Sequence, residues 1–261
     1  QYRMHPRIAD FSSRTMYGGL LHSADNMEKS RRNIVIQKPL GGHPIAFADL
    51  SGMMSVCTKT SDNSRINVLS ALISFALALE AAKNYEVGII TPYHAQSRLL
   101  HAMARDVADT NPKLQPIACA TVHQFQGSEK DVIIYDAVDC YRMPYPGMLL
   151  TSTSNNYANR LFNVALTRAK GKFIGVANIA YMENKRLSSN LMFENMINGQ
   201  KRKASCLGGQ ELSRKRPAIS DSPMSFYDSD EGSRHFFNDI SEARREIRID
   251  IPDKPVEDAF S

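Results

Sequence analysis

Residues 120–138 read ATVHQFQGSEKDVIIYDAV, and residues 159–178 read NRLFNVALTRAKGKFIGVAN. The first run opens as a short apolar strand and breaks at the polar turn Gln126-Gly127. It resumes over 131–138 with the near-continuous apolar content of a strand covered on both faces. The second run predicts a helix over 159–170 and a strand over 172–176. Leu161, Val164 and Ala165 recur at the spacing of one inward face, and Arg168, four residues after Val164, falls near the last turn. Open parallel sheets bind ligands at the carboxyl ends of their strands. On that rule Gln126, Glu129 and Arg168 are candidates for one shared crevice.

Outward from this centre, periodicity predicts a helix over 8–21, ended by Gly18-Gly19, then a polar stretch over 22–43 and a strand over 44–50. A Ser/Thr/Gly/Asp-rich loop covers 51–63. A long helix over 65–83 carries Val68, Leu69, Leu72, Ile73, Ala76 and Leu79 at i, i+3, i+4 spacing. A strand over 87–91, a turn and a helix to 107 make half of a βαβ unit, and a further strand spans 117–122. Between the two central runs, 141–156 reads as a loop in which Tyr141, Arg142 and Tyr145 mix aromatic and basic side chains, as a single-strand-binding edge does. A helix over 187–197 closes the domain. The fold class is therefore α/β: a mostly parallel sheet with helices on both faces over 1–198. A polar tail over 199–261 lacks periodic apolar pattern and is expected to be disordered.

A chain of 261 residues with 43% hydrophobic content holds one core and a tail, since domains run to roughly 100–200 residues. No run of 18 or more apolar residues and no charged-then-apolar leader occurs, so an intracellular protein with no membrane span is expected, cytoplasmic or nuclear. Cys57, Cys119, Cys140 and Cys206 lack CxxC spacing; they fit a reducing compartment better than a disulfide framework, and no metal site is expected from them. Lys and Arg against Asp and Glu give +6 over 1–198, +5 over 199–216 and −6 over 217–261. A basic core suits a polyanionic partner. The clusters Lys201-Arg202-Lys203 and Arg214-Lys215-Arg216 resemble a bipartite nuclear import signal, a pattern that solvated basic tails share.

Three runs resemble the Upf-like group of superfamily-one helicases. They are Gln1-Tyr2-Arg3-Met4-His5-Pro6, Thr121 to Asp131 (TVHQFQGSEKD) and Arg160 to Lys170 (RLFNVALTRAK), with Thr91-Pro92-Tyr93-His94-Ala95-Gln96 as a fourth, shorter match. Phe162 stands as an insertion relative to the family's RLNVAL form, and His94 replaces its common Lys. The resemblance covers roughly 1–198 and implies the second RecA-like domain of an ATP-dependent helicase, a fragment of a longer polypeptide.

Several site residues follow from that likeness. Tyr2 stacks on adenine, Arg3 reaches the terminal phosphates, Glu129 lies near the ribose or the metal-bound phosphates, and Arg168 is the arginine finger. Gln126 and Gly127 line the nucleotide, while Thr91, Tyr93, Thr121 and His123 face single-stranded DNA or RNA. An aromatic face suits a base and a guanidinium fork suits phosphate oxygens. ATP with Mg²⁺ is the implied cofactor. Neither a GxxxxGK[ST] loop nor the acidic pair of a DExx box at the end of an apolar strand occurs in the sequence. The metal ligands and phosphate loop are thus expected from a first RecA-like domain, the implied partner in the same polypeptide. Alternative readings are a nucleic-acid-binding module that has lost catalysis and a nucleotide-dependent switch.

Overall fold

The computed structural model describes residues 1–110 and 114–206. Five strands form one wholly parallel sheet: β1 (Ile45–Asp49), β4 (Val87–Thr91), β5 (Ile117–Thr121), β6 (Lys130–Asp136) and β7 (Ala169–Ala177), in the order β1-β7-β6-β4-β5. Their registers align Ile89 with Cys119 and Ile134, and Ile134 with Ile174, so the central strands are covered on both sides. That is why β4, β6 and β7 read as apolar runs rather than alternations. In a two-stranded antiparallel ribbon, β2 (Thr58–Lys59), from the segment read as loop, pairs with β3 (Arg65–Ile66), where the long helix was expected to begin.

Helices cover both faces. On one side α1 (Pro6–Met16), α6 (Tyr157–Leu166) and α8 (Met192–Cys206) meet Ile133, Tyr135 and Phe173 in a single core. Tyr135, Phe162, Phe173 and Phe193 pack there with ring centroids 5.1–6.1 Å apart. Phe162 is no insertion in the structure: α6 runs through it unbroken and it fills this aromatic core. On the other side α3 (Val68–Ala82) lies over β6, β4 and β7, with α4 (His94–Thr110) beside it on β4 and β5.

Three sequence expectations are corrected. Helix α3 turns Ser70, Ala71, Ser74, Phe75, Ala78 and Leu79 toward the sheet, while Val68 and Leu72 are exposed. The helix is apolar nearly all round, so spacing alone names no face, and the small residues let it approach the sheet closely. Within the stretch read as merely polar, α2 (Met27–Ile36) forms and buries Met27, Ile34 and Val35. Short helices α5 (Met148–Thr151) and α7 (Ile179–Asn184) also form, and α8 continues through Cys206, beyond the boundary drawn at 198. The rest of the tail, with the second basic cluster at 214–216, lies outside the described residues. Among the described residues no helix is long and apolar enough to cross a membrane.

The connection between β5 and β6 fixes the site. The strands are parallel and β4 lies between them, so residues 122–129 must return from the carboxyl edge of the sheet to its amino edge, a short path for a parallel crossover. Phe125 packs in the core on the way, across Gly88 of β4, where any Cβ would collide with the Phe125 ring. Gly88 is there because the crossover chain lies directly on the strand.

Candidate active site

At the amino edge, Glu129 directly precedes β6 and Arg168 directly precedes β7. The Lys130 backbone N–H donates to the Arg168 carbonyl at 3.0 Å, which fixes the two positions side by side. Glu129 and Arg168 do come together as expected, but at the amino ends of β6 and β7. The carboxyl-end rule misplaces them because the crossover carries Gln126, Gly127 and Glu129 back along the sheet before β6 begins. Gln126 and Gly127 are exposed in that connection, and Gly127 takes the left-handed φ of 91° that lets the chain turn.

The first six residues reach the same edge. Met4 and Ile8 are buried in the core, and the His5 N–H donates to the Lys170 carbonyl at 2.8 Å, which anchors the segment beside β7. His5 Nδ1 accepts the Arg7 N–H and caps α1; burial holds its pKa below the usual value, so the ring stays neutral for that task. The Gln1 amide shapes the turn before it. Its Oε1 accepts the N–H groups of Arg3 and Met4 at 3.0 and 2.8 Å, while Nε2 donates to the Met4 carbonyl and Ser23 Oγ. All the hydrogen-bonding capacity of one amide is used. Tyr2 consequently projects from a held turn with 83% of its surface exposed, which excludes a core-anchor role.

Three charged side chains converge here. Arg3 Nε lies 2.6 Å from Glu129 Oε2, both groups being half exposed. Arg168 Nε donates to the Val164 carbonyl at 3.2 Å, and its Nη1 to the Ser128 carbonyl at 3.4 Å. Burial, and then the neighbouring Arg3 charge, push the Arg168 pKa below the ordinary guanidinium value, with Glu129 opposing. Two guanidinium groups thus lie near one carboxylate, which pairs with Arg3. An exposed ion pair is worth about 0–1 kcal/mol, so Glu129 holds Arg3 only loosely.

The expected strand-facing residues lie at the opposite edge. Thr121 ends β5 and is buried, its Oγ1 donating to Gln124 Oε1 at 3.0 Å; His123 is exposed beside it. Thr91 and Tyr93 are buried too, and the Tyr93 hydroxyl donates to Asp139 Oδ2 at 2.6 Å. Of these four residues His123 alone is exposed in this structure. Beneath them lies a polar network that sequence reading missed: the two N–H groups of Gln96 Nε2 are shared among the Asn67 carbonyl, Ser70 Oγ and Asp136 Oδ2, at 3.0, 3.0 and 2.7 Å. Burial raises the Asp136 pKa to about 6. Gln96 was visible in the TPYHAQ run, but its partners come from α3 and β6 and had no signal of their own.

The two edges are joined twice. Residues 122–129 run from Thr121 to Glu129, and α6 runs in the same direction from Tyr157 to Leu166, two residues short of Arg168. They meet at both ends, with Tyr157 Oη 3.5 Å from His123 Nε2 and Arg168 Nη1 on the Ser128 carbonyl. Among the described residues no group of three His, Cys, Asp or Glu side chains could hold a metal ion.

Known proteins have related sequences. A family model described as an AAA domain matches residues 1–180. The regulator of nonsense transcripts 1 homolog of Drosophila melanogaster is 32% identical over 195 residues, covering 74% of this chain and 16% of that one. ATP-dependent helicase NAM7 of Saccharomyces cerevisiae is 29% identical over 196 residues, covering 74% and 20%. Helicase sen1 of Schizosaccharomyces pombe is 29% identical over 198 residues, covering 74% and 11%. The chain therefore spans one fifth or less of the length of these relatives. With the parallel sheet, the two connectors and the arginine pair in place, it belongs to the AAA-domain family of Upf-like superfamily-one helicases, as a helicase domain.

Proposed function

We propose that this chain supplies half of an ATP-driven motor that moves on single-stranded DNA or RNA. The observation that carries the reading is the convergence of Arg3, Glu129 and Arg168 at one sheet edge beside an exposed Tyr2. Tyr2 offers a ring face to the adenine, Arg3 leaves Glu129 for the terminal phosphates, and Glu129 is then free for the ribose or the metal-bound phosphates. Gln126 and Gly127 line the same opening. Arg168 is the arginine finger: its charge faces the negative charge that builds as the phosphoryl group leaves, an effect worth about 10³–10⁵ in rate. The residues present fit a nucleotide triphosphate but not its Mg²⁺, which neutralises charge on the phosphates when bound. A first RecA-like domain of the same polypeptide supplies the metal ligands and the phosphate loop.

At the other edge Thr121 and His123 contact the strand, with Thr91 and Tyr93 supporting the edge from within. Because residues 122–129 and α6 each span both edges, closure on nucleotide shifts the strand contacts without a separate relay. The purified 261-residue chain is expected to bind ATP weakly and not to hydrolyse it, since half of the site is absent from it. Strand-stimulated turnover by that chain alone, measured as phosphate release, contradicts the half-site reading. Tight ATP binding without turnover in the full-length polypeptide supports a nucleotide-dependent switch instead.

A further inference from the structure

We propose that the loop between β6 and α6 is a second half of the strand-binding surface, with Tyr145 as a base-stacking platform and Lys185 as its cation. The proposal rests on the reading of the carboxyl edge as the face that meets single-stranded nucleic acid.

The composition of the loop is unusual for exposed chain. From Cys140 to Ala158 it carries three tyrosines, one arginine, and Ser, Thr and Asn at every position from 151 to 156, with no carboxylate. Tyr141, Tyr145 and Tyr157 are 44%, 70% and 42% exposed, and Met148 is exposed between them. Large apolar side chains gathered in one exposed loop mark an interaction site rather than ordinary surface. All of it lies at the carboxyl edge, because the loop leaves the end of β6 and returns at Tyr157, against His123. The surface is thus continuous in the chain with the Thr121 and His123 contacts.

The loop is held in place from inside. Buried Asp139 pairs with Arg65 at 2.5 Å and accepts from the Tyr93 hydroxyl and from the Gly147 N–H at 2.8 Å. Arg65 also donates to the Tyr145 carbonyl at 3.0 Å. The backbone on both sides of Tyr145 is therefore fixed while its ring stands out in solvent. On the ring itself, Lys185 Nζ lies 5.6 Å from the centroid, and the same ammonium lies 5.6 Å from the Tyr181 ring. Tyr141 packs edge-on against Tyr181, with centroids 5.7 Å apart. The cation occupies one face of Tyr145 and leaves the other for a base. Arg142 and Arg186 are exposed nearby, and Glu183 is the single carboxylate over 179–191.

Fixed aromatic faces beside cations, with hydroxyls and amides for phosphate oxygens, match the chemistry of a single strand, whose bases stack without sequence preference.

The test uses the full-length polypeptide and fluorescein-labelled oligo-uridine and oligo-thymidine, with affinity read by anisotropy. Tyr145→Ala is expected to weaken binding about five- to tenfold, the scale of one stacked base, with ATP affinity and melting temperature unchanged. Tyr145→Phe is expected to bind as the parent does, because the ring face is kept. Lys185→Gln is expected to weaken binding and to flatten its salt dependence. If Tyr145→Ala and Lys185→Gln both bind as the parent does while His123→Ala binds less tightly, the loop surface is refuted and the strand edge stands. If the parent binds neither oligonucleotide, the reading of the edge fails and the loop surface fails with it.

Discussion

Tyr2 and Arg3 are adjacent, yet they meet different chemistry, and the turn that Gln1 ties is what separates them. The Tyr2 ring stands in solvent, while the Arg3 guanidinium folds onto Glu129. If the Tyr2 face carries the base, Tyr2→Ala in the full-length protein weakens ATP affinity about tenfold, near the upper end of an aromatic pair's worth. Tyr2→Phe changes it little, because the hydroxyl makes no contact. Nucleotide titration beside thermal melting checks this, and an unchanged affinity in Tyr2→Ala removes the stacking role. Residues of this kind were legible because they stand in contiguous runs: QYRMHP, TVHQFQGSEKD and RLFNVALTRAK name Tyr2, Arg3, Glu129 and Arg168 directly. Gln1 as a clamp and Tyr157 as a neighbour of His123 were not legible. The Tyr157 contact joins segments thirty-four residues apart, and the Gln1 amide ties a local turn to Ser23 through a fold that no sequence pattern records.

At the scale of elements, the strands were readable and the edges were not. Parallel strands covered on both faces show as apolar runs, so β4 and β6 were found within two residues of where they lie; β7 was found too, although it begins at Ala169, where the helix was expected to continue. Which end of the sheet a loop residue reaches depends on the path of residues 122–129, and no periodicity records a path without regular structure. The same holds for α3, whose nearly uniform apolar surface concealed the face that meets the sheet. That helix also supplies Ser70 beneath the carboxyl edge, beside Gln96, whose amide donates to the buried Asp136 carboxyl. Burial raises the Asp136 pKa from 3.8 to about 6, against the opposing hydrogen bonds from Gln96 and its neighbours. The folded state therefore binds this proton more tightly than the unfolded state. Its contribution to stability is complete below pH 3.8 and is lost as pH rises through about 6. Urea midpoints measured across that window are expected to fall for the parent relative to Asp136→Asn. A difference that does not vary with pH, or one that grows in favour of the parent, contradicts the account of a carboxyl kept neutral by burial.

For the whole molecule, the consequence of the topology is that the two candidate sites lie at opposite edges of a single sheet. Two connectors, residues 122–129 and α6, each begin at the proposed strand edge, end at the proposed nucleotide edge and touch at both ends. Both connectors pack on the sheet, with Phe125 across Gly88 and Phe162 among Tyr135, Phe173 and Phe193. The central claim is that Arg168, at the nucleotide end of both, serves the transition state of ATP hydrolysis. Strand-stimulated ATP turnover by full-length Arg168→Ala, with nucleotide affinity titrated in parallel, tests this most directly. A guanidinium that acts on the transition state more than on the bound nucleotide leaves affinity nearly unchanged when it is removed. Turnover is then expected to fall by about 10³ or more. Turnover within a fewfold of the parent, at full nucleotide occupancy, would show that Arg168 is not the finger and that the two edges are not joined through it.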